Sequence, residues 1–158
     1  SRVLAQGEIR LQAQLAIALA ADGRAITSAS ILVGISSAIL GLAGVIYSAT
    51  PPETTLAATA AFGAILLCIS AAICAFAALP IKFGLAGANP KNWWEDDVTT
   101  RPYAECLWRE SNNYGRRIAA NVDAINANAT CFKYGILLAA ATPIICLLFW
   151  NVLSHVAA

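Results

Sequence analysis

The chain has 158 residues, of which 59% are hydrophobic and only 12% charged, with a formal net charge of +1. That balance excludes an ordinary soluble globular domain, where about a quarter of the residues are charged. It also gives no support to nucleic-acid binding, because the ten Lys and Arg are interspersed with nine acids.

Residues 1–25 read as a helix rich in Ala, Leu and Gln. Arg2, Arg10, the apolar residues after them and Ala18-Leu19-Ala20 imitate a signal peptide, but Gln12 and Gln14 interrupt the apolar run. The segment is therefore expected to be retained, as a weakly amphipathic helix that continues into the uncharged run after Arg24. Leu4, Leu11, Leu15 and Leu19 fall near one another on its wheel, with Glu8 and Asp22 on the same side.

No charged side chain occurs between Arg24 and Glu53, between Glu53 and Lys82, or after Lys133. Each gap exceeds the roughly 20 residues that a helix needs to cross about 30 Å of hydrocarbon. The ten Ile, Leu and Val from Ile26 to Ile46 contribute about 3–6 kcal/mol to insertion, at about 0.3–0.6 kcal/mol each. These gaps predict an all-α membrane protein with three transmembrane helices, over 26–48, 55–80 and 133–153. A hydrophobic soluble bundle would need polar stripes, which these segments lack.

Lys and Arg lie before the first predicted span, between the second and third, or, as Lys133, at the first residue of the third. By the positive-inside rule, the N-terminus and the long connection face the cytoplasm and the C-terminus faces outward.

The first span carries Ser30, Gly34, Ser37, Gly41, Gly44 and Ser48, spaced 4, 3, 4, 3 and 4. The second repeats the pattern with Ala57, Ala61, Ala64, Cys68, Ala71, Ala75 and Ala78. Membrane helices associate by close packing, so small faces let backbones approach, and a 3.5-residue period favours a left-handed crossing. The short connection at Pro51 and Pro52 makes the two spans antiparallel neighbours and each other's expected first partner. The same serines on a pore wall are the competing reading.

Residues 81–132 are expected to form a cytoplasmic loop and an amphipathic helix. The loop holds Trp93 and Trp94 before three acids, Glu95 to Asp97. Indole favours the membrane interface, so Trp93, Trp94 and Trp108 are expected anchors on the inner side and Trp150 on the outer side. From Arg101 on, Tyr103, Leu107, Tyr114, Ile118, Ile125 and Phe132 share one helical face. Nothing forces a break until Pro143, so a single long helix is expected to lead into the third span, bent at the proline. Tyr114, Ile118 and Ile125 form a candidate gating or partner surface on it.

Of the five cysteines, Cys68, Cys74 and Cys146 fall in spans, while Cys106 and Cys131 do not, and there is no C-x-x-C pair. Neither a disulfide nor a zinc site is expected. His155 is the only histidine and there is no methionine, so no His/His or His/Met pair exists for a haem. No Asp, Glu, Lys, Arg or His lies deep in any predicted span, whereas proton relays and coupled transporters need such groups. No catalytic, cofactor-binding or metal-ligating residue is assigned.

The layout has a polar helix, ADGRA (Ala21–Ala25) opening the first span, a short outer turn, Pro80 closing the second span, a cytoplasmic helix and Lys133 opening the third. It resembles the membrane modules of bacterial Pycsar effectors and the related SLATT proteins, with Asp22, Arg24, Pro80 and Lys133 as matching positions. The resemblance implies a bacterial inner-membrane protein linked to antiphage defence, in which a nucleotide signal triggers membrane damage; the small-residue faces add the expectation of a pore-forming or channel-like homo-oligomer. An accessory subunit of a larger membrane complex is the competing expectation.

Overall fold

The structure is a computed structural model and describes residues 2–79, 83–86 and 102–157. Among these residues it is helical, with no strand: α1 spans Arg2–Ser48, α2 Thr54–Phe76 and α3 Tyr103–Ala157. The all-helical expectation holds. Trp93, Trp94, the acids after them and Pro80 lie outside the described residues.

Helix α1 has 47 residues, roughly 70 Å at 1.5 Å per residue. No proline interrupts it, and it stops at Ser48, just before the Pro51-Pro52 pair that cannot continue a helix. Ser48 Oγ donates to the Val45 carbonyl at 3.0 Å, satisfying one of the orphan carbonyls of the last turn. Helix α3 begins on the Pro102 carbonyl, which accepts from Glu105 N at 2.9 Å and from Cys106 N at 3.3 Å. Proline suits this position because the first helical amides need no intrahelical acceptor. The helix runs unbroken through Pro143, with Thr142 Oγ1 donating to the Leu138 carbonyl at 2.9 Å one turn earlier.

All three helices are long and apolar enough to cross a membrane. The chain divides into two compact units: Ser1–Ala21 with Pro80–Ala127, and Asp22–Leu79 with Asn128–Ala158. The first contains the N-terminal parts of α1 and α3, together with residues 83–86. The second contains the C-terminal part of α1, all of α2 and the C-terminal part of α3. All charged residues but four, Asp22, Arg24, Glu53 and Lys133, belong to the first unit.

Within the first unit the contacts pair Gly7 and Glu8 with Tyr114, and Gln14 with Ile118 and Asn121, so α1 and α3 run parallel there. In the second unit Gly63 meets Cys146 and Cys74 meets Gly135, so α2 runs antiparallel to α3. Helix α2 also meets α1, through Ala64 and Cys68 against Ser36. It is the central helix of that unit, and large apolar side chains such as Ile31, Leu42, Ile65, Leu147 and Leu148 point outward.

Candidate functional site

Two clusters of helix contacts, one in each unit, are the built features of this molecule. In the second unit, α2 and α3 are joined by a reciprocal device. The Cys74 thiol of α2 packs over Gly135 of α3, and the Cys146 thiol of α3 packs over Gly63 of α2. A Cβ at Gly135 would lie 2.6 Å from Cys74 Sγ, and one at Gly63 would lie 2.9 Å from Cys146 Sγ. Each helix therefore supplies one notch and one plug, with the same eleven-residue separation of Gly and Cys in both. Cys74 is 0% exposed, as suits a cysteine acting as a small, soft hydrophobe. The Ser70 hydroxyl donates to the Gly135 carbonyl beside it. Phe62 and Phe149 stack at 4.4 Å between centroids, 28° from coplanar, near the offset geometry that aromatic pairs prefer.

Helix α1 joins this unit with a different face from the expected one. Its buried positions there are Ala25, Ala29, Ser36 and Ala43. Ser36 Oγ donates to the Ala64 carbonyl at 2.7 Å and lies 3.0 Å from Cys68 Sγ. On α2, Ala64 and Ala71 are buried, Ala61 is half-buried, and Cys68 keeps an exposed side. The α1 stripe of Ser30, Gly34, Ser37, Gly41 and Gly44 is exposed, and a Cβ added at any of its glycines meets nothing within 4 Å. Within one chain this stripe does not face α2, which corrects the expected pairing of the two small faces. The physical reason is that α1 has two small faces. Only that of Ser36 offers a hydroxyl to the neighbouring backbone, whereas the Ser30 hydroxyl donates to Ile26 of its own helix at 3.0 Å.

In the first unit the helices meet through polar groups. Tyr114 is buried over Gly7, where a Cβ would sit 3.4 Å from the ring. Its hydroxyl donates to Glu8 Oε1 at 3.2 Å, and the Arg117 guanidinium stands 5.9 Å from the ring centroid, within cation–π range. One turn on, Gln14 Nε2 donates to the Ile118 carbonyl at 3.2 Å.

Asn121, 1% exposed, is the centre of the cluster. Its Oδ1 accepts from Gly84 N at 2.9 Å, and its Nδ2 donates to the Gly84 carbonyl at 3.1 Å and to Gln14 Oε1 at 3.3 Å. Arg117 Nη1 donates to the Leu85 carbonyl at 3.3 Å. Each such bond contributes about 0.5–1.5 kcal/mol net, whereas stranding a buried partner costs about 1–3 kcal/mol.

Of the candidate gating surface, Tyr114 is buried while Ile118 and Ile125 are half-buried. Trp108 and Trp150 are both exposed. Among the described residues no group of three or more His, Cys, Asp or Glu is placed to hold a metal ion. Sequence reasoning missed Gln14 and Asn121 as partners. The available signal was an amide set among apolar residues on each helix: Gln14 beside Leu11 and Leu15, and Asn121 between Ile118 and Ile125. It also missed the glycine–cysteine notches, which the equal spacing in GAILLCISAAIC and GILLAAATPIIC announces.

No protein-family model, curated protein or solved structure matches the chain.

Proposed function

We propose that this chain is a non-enzymatic integral membrane protein that self-associates and acts as a pore-forming, channel-like effector in a bacterial inner membrane. The observation that carries the reading is the inverted second unit. Its inward positions are Gly, Ala, Ser, Cys and Thr with a single large residue, Leu67, while its outer surface presents Ile, Leu and Val, as suits helices whose solvent is lipid. Three apolar helices of sufficient length support the membrane placement. The one-sided distribution of Lys and Arg supports a cytoplasmic N-terminus and an outer C-terminus.

Self-association is supported by the exposed α1 stripe of Ser30, Gly34, Ser37, Gly41 and Gly44. It is a small, uncharged face that the chain leaves uncovered and that a second copy fits closely. The role in defence is supported by the resemblance in layout at Asp22, Arg24, Pro80 and Lys133. Any conducting path is passive, because no charged group lies within the apolar runs to couple or strongly select ions. Tyr114, Ile118 and Ile125 lie on the helix that leads into the third span, and a shift there is the plausible trigger.

The test has two arms. A membrane-impermeant maleimide applied to intact cells modifies Glu53→Cys and spares Asn112→Cys, each compared with the unsubstituted protein; the reverse pattern overturns the orientation. The mass of the purified detergent complex then separates the two classes of function. A multiple of one subunit supports the effector. Co-purifying foreign subunits seated on the exposed α1 stripe support an accessory subunit instead.

A further inference from the structure

Residues 83–86 lie beyond the end of α2 and form a strap in the first unit, tied to α3 mainly by backbone groups. Little apolar burial holds it: Leu85 is 61% exposed and Phe83 only half-buried. What holds it is a pair of α3 side chains, Arg117 on the Leu85 carbonyl and, at the centre, Asn121 on Gly84. The Asn121 amide pairs with both the N–H and the carbonyl of Gly84, like one rung of a β-ladder, and uses its second proton on Gln14 of α1. Three separate pieces of chain therefore meet on one neutral amide.

We propose that this joint is an autoinhibitory clasp: Asn121, locked by Gln14, holds the strap against α3 and keeps the protein in its resting arrangement, and withdrawal of the strap releases it. The inference rests on the effector reading and names what restrains that effector.

Three features make the joint a clasp rather than general packing. It is directional, because an amide pair holds only in one register and costs stability when half-made. It is tight, because Gly84 approaches α3 so closely that a Cβ would lie 2.9 Å from Arg117 Cβ and 3.0 Å from its Cγ. It is uncharged at its centre, so release comes from mechanical or competitive displacement of the strap rather than from protonation. The neighbouring groups are consistent with this: Arg117 adds a bond to Leu85, and Glu8 is engaged by Tyr114 about two turns away.

The experiment uses the full chain in lipid nanodiscs and in dye-loaded liposomes. Hydrogen exchange at the Gly84 amide is slow in the wild type and at least tenfold faster in Asn121→Leu. Gly84→Ala gives the same acceleration by a different route, because it drives the strap off Arg117 while leaving the Asn121–Gln14 pair intact. Protection in α2 and in the C-terminal part of α3 stays unchanged in both, which excludes global unfolding. Both variants release dye at least tenfold faster than unstimulated wild type.

Gly84 exchanging freely in the wild type overturns the clasp itself. Faster exchange without added leakage, while Ile118→Asp, which puts a charge on the proposed trigger surface of α3, does leak, overturns the autoinhibitory role and leaves the effector reading standing. Faster exchange with no leakage from any variant overturns both.

Discussion

In the first unit α1 and α3 meet through Tyr114, Gln14 and Asn121; in the second, α2 meets its neighbours through glycine, alanine, serine and cysteine. The charge distribution accounts for the contrast. The first unit carries all but four of the charged residues, and its interface is specified by hydrogen bonds whose partners lie more than a hundred residues apart in sequence. The second has long uncharged runs, and its interface is specified by shape, with a thiol from each helix filling a glycine notch on the other. Amides give register because a shifted partner leaves a buried polar group unpaired. Notches give register because only one alignment of the helices allows the close contact.

The largest effect is expected where shape alone specifies the contact. Gly135→Ala places a methyl 2.6 Å from Cys74 Sγ and 3.2 Å from two backbone atoms of α2, Cys74 N and the Ser70 carbonyl. Because backbone cannot move aside as a side chain can, the helices must separate, at a cost of about 2–3 kcal/mol. Gly63→Ala meets only the end of the Cys146 side chain at 2.9 Å, so it costs less, about 1 kcal/mol. Reversible unfolding in mixed micelles measures both. Equal costs would show that the notches do not set the helix spacing, and the contrast between the two units would collapse.

The polar unit is expected to respond to loss of hydrogen bonding rather than to added volume. Asn121→Leu nearly preserves side-chain size but strands the Gly84 N–H and carbonyl and the Gln14 amide oxygen. The expected cost is about 1–3 kcal/mol, felt in the first unit. Hydrogen exchange resolved by segment checks it. Lost protection in α2 instead would mean that the two units do not depend on separate contacts.

The helical elements were legible because charge gaps and proline positions are one-dimensional signals. The absence of charge after Arg24 and the Pro51-Pro52 pair mark the apolar end of α1, and the unbroken pattern after Arg101 anticipates α3. Partner choice was less legible. In α1, alanine is so frequent that the stripe through Gly34, Gly41 and Gly44 and the stripe through Ala29, Ser36 and Ala43 both read as contact faces. Periodicity identifies a face but not what lies against it. A hydroxyl directed at the Ala64 carbonyl decides between the two, and that is a property of the assembled pair. Asn121 is a similar case: its role depends on a strap 37 residues away in sequence.

Ser36→Ala tests that deciding contact. It removes the hydroxyl's bond to the Ala64 carbonyl and its weaker contact with Cys68 Sγ, and hydrogen bonds between apolar helices average about 0.6 kcal/mol and reach about 1.7 kcal/mol at most. The expected loss lies in that range, below that of Gly135→Ala, in the same micelle titration. A loss above about 2 kcal/mol would make the second unit as dependent on hydrogen bonding as the first.

The smallest expected effect on the fold of one chain belongs to Gly41→Leu. A Cβ at Gly41 has nothing within 4 Å, and the residue lies on the exposed α1 face. A leucine there adds a side chain to open space and raises helix propensity, so the unfolding free energy of the isolated chain changes by less than about 1 kcal/mol, in the stabilising direction. The same substitution places four carbons where a second copy is proposed to pack, and a small-residue contact between helices does not accommodate a leucine. Two measurements on one variant therefore separate the two kinds of interface: micelle unfolding of the single chain stays level while the detergent complex falls to a lower mass. An unchanged mass would leave Gly34, Gly41 and Gly44 facing lipid and remove the support for self-association through α1. A large loss of single-chain stability would instead place this stripe inside the intrachain core, against the burial of Ala29, Ser36 and Ala43 on the other face.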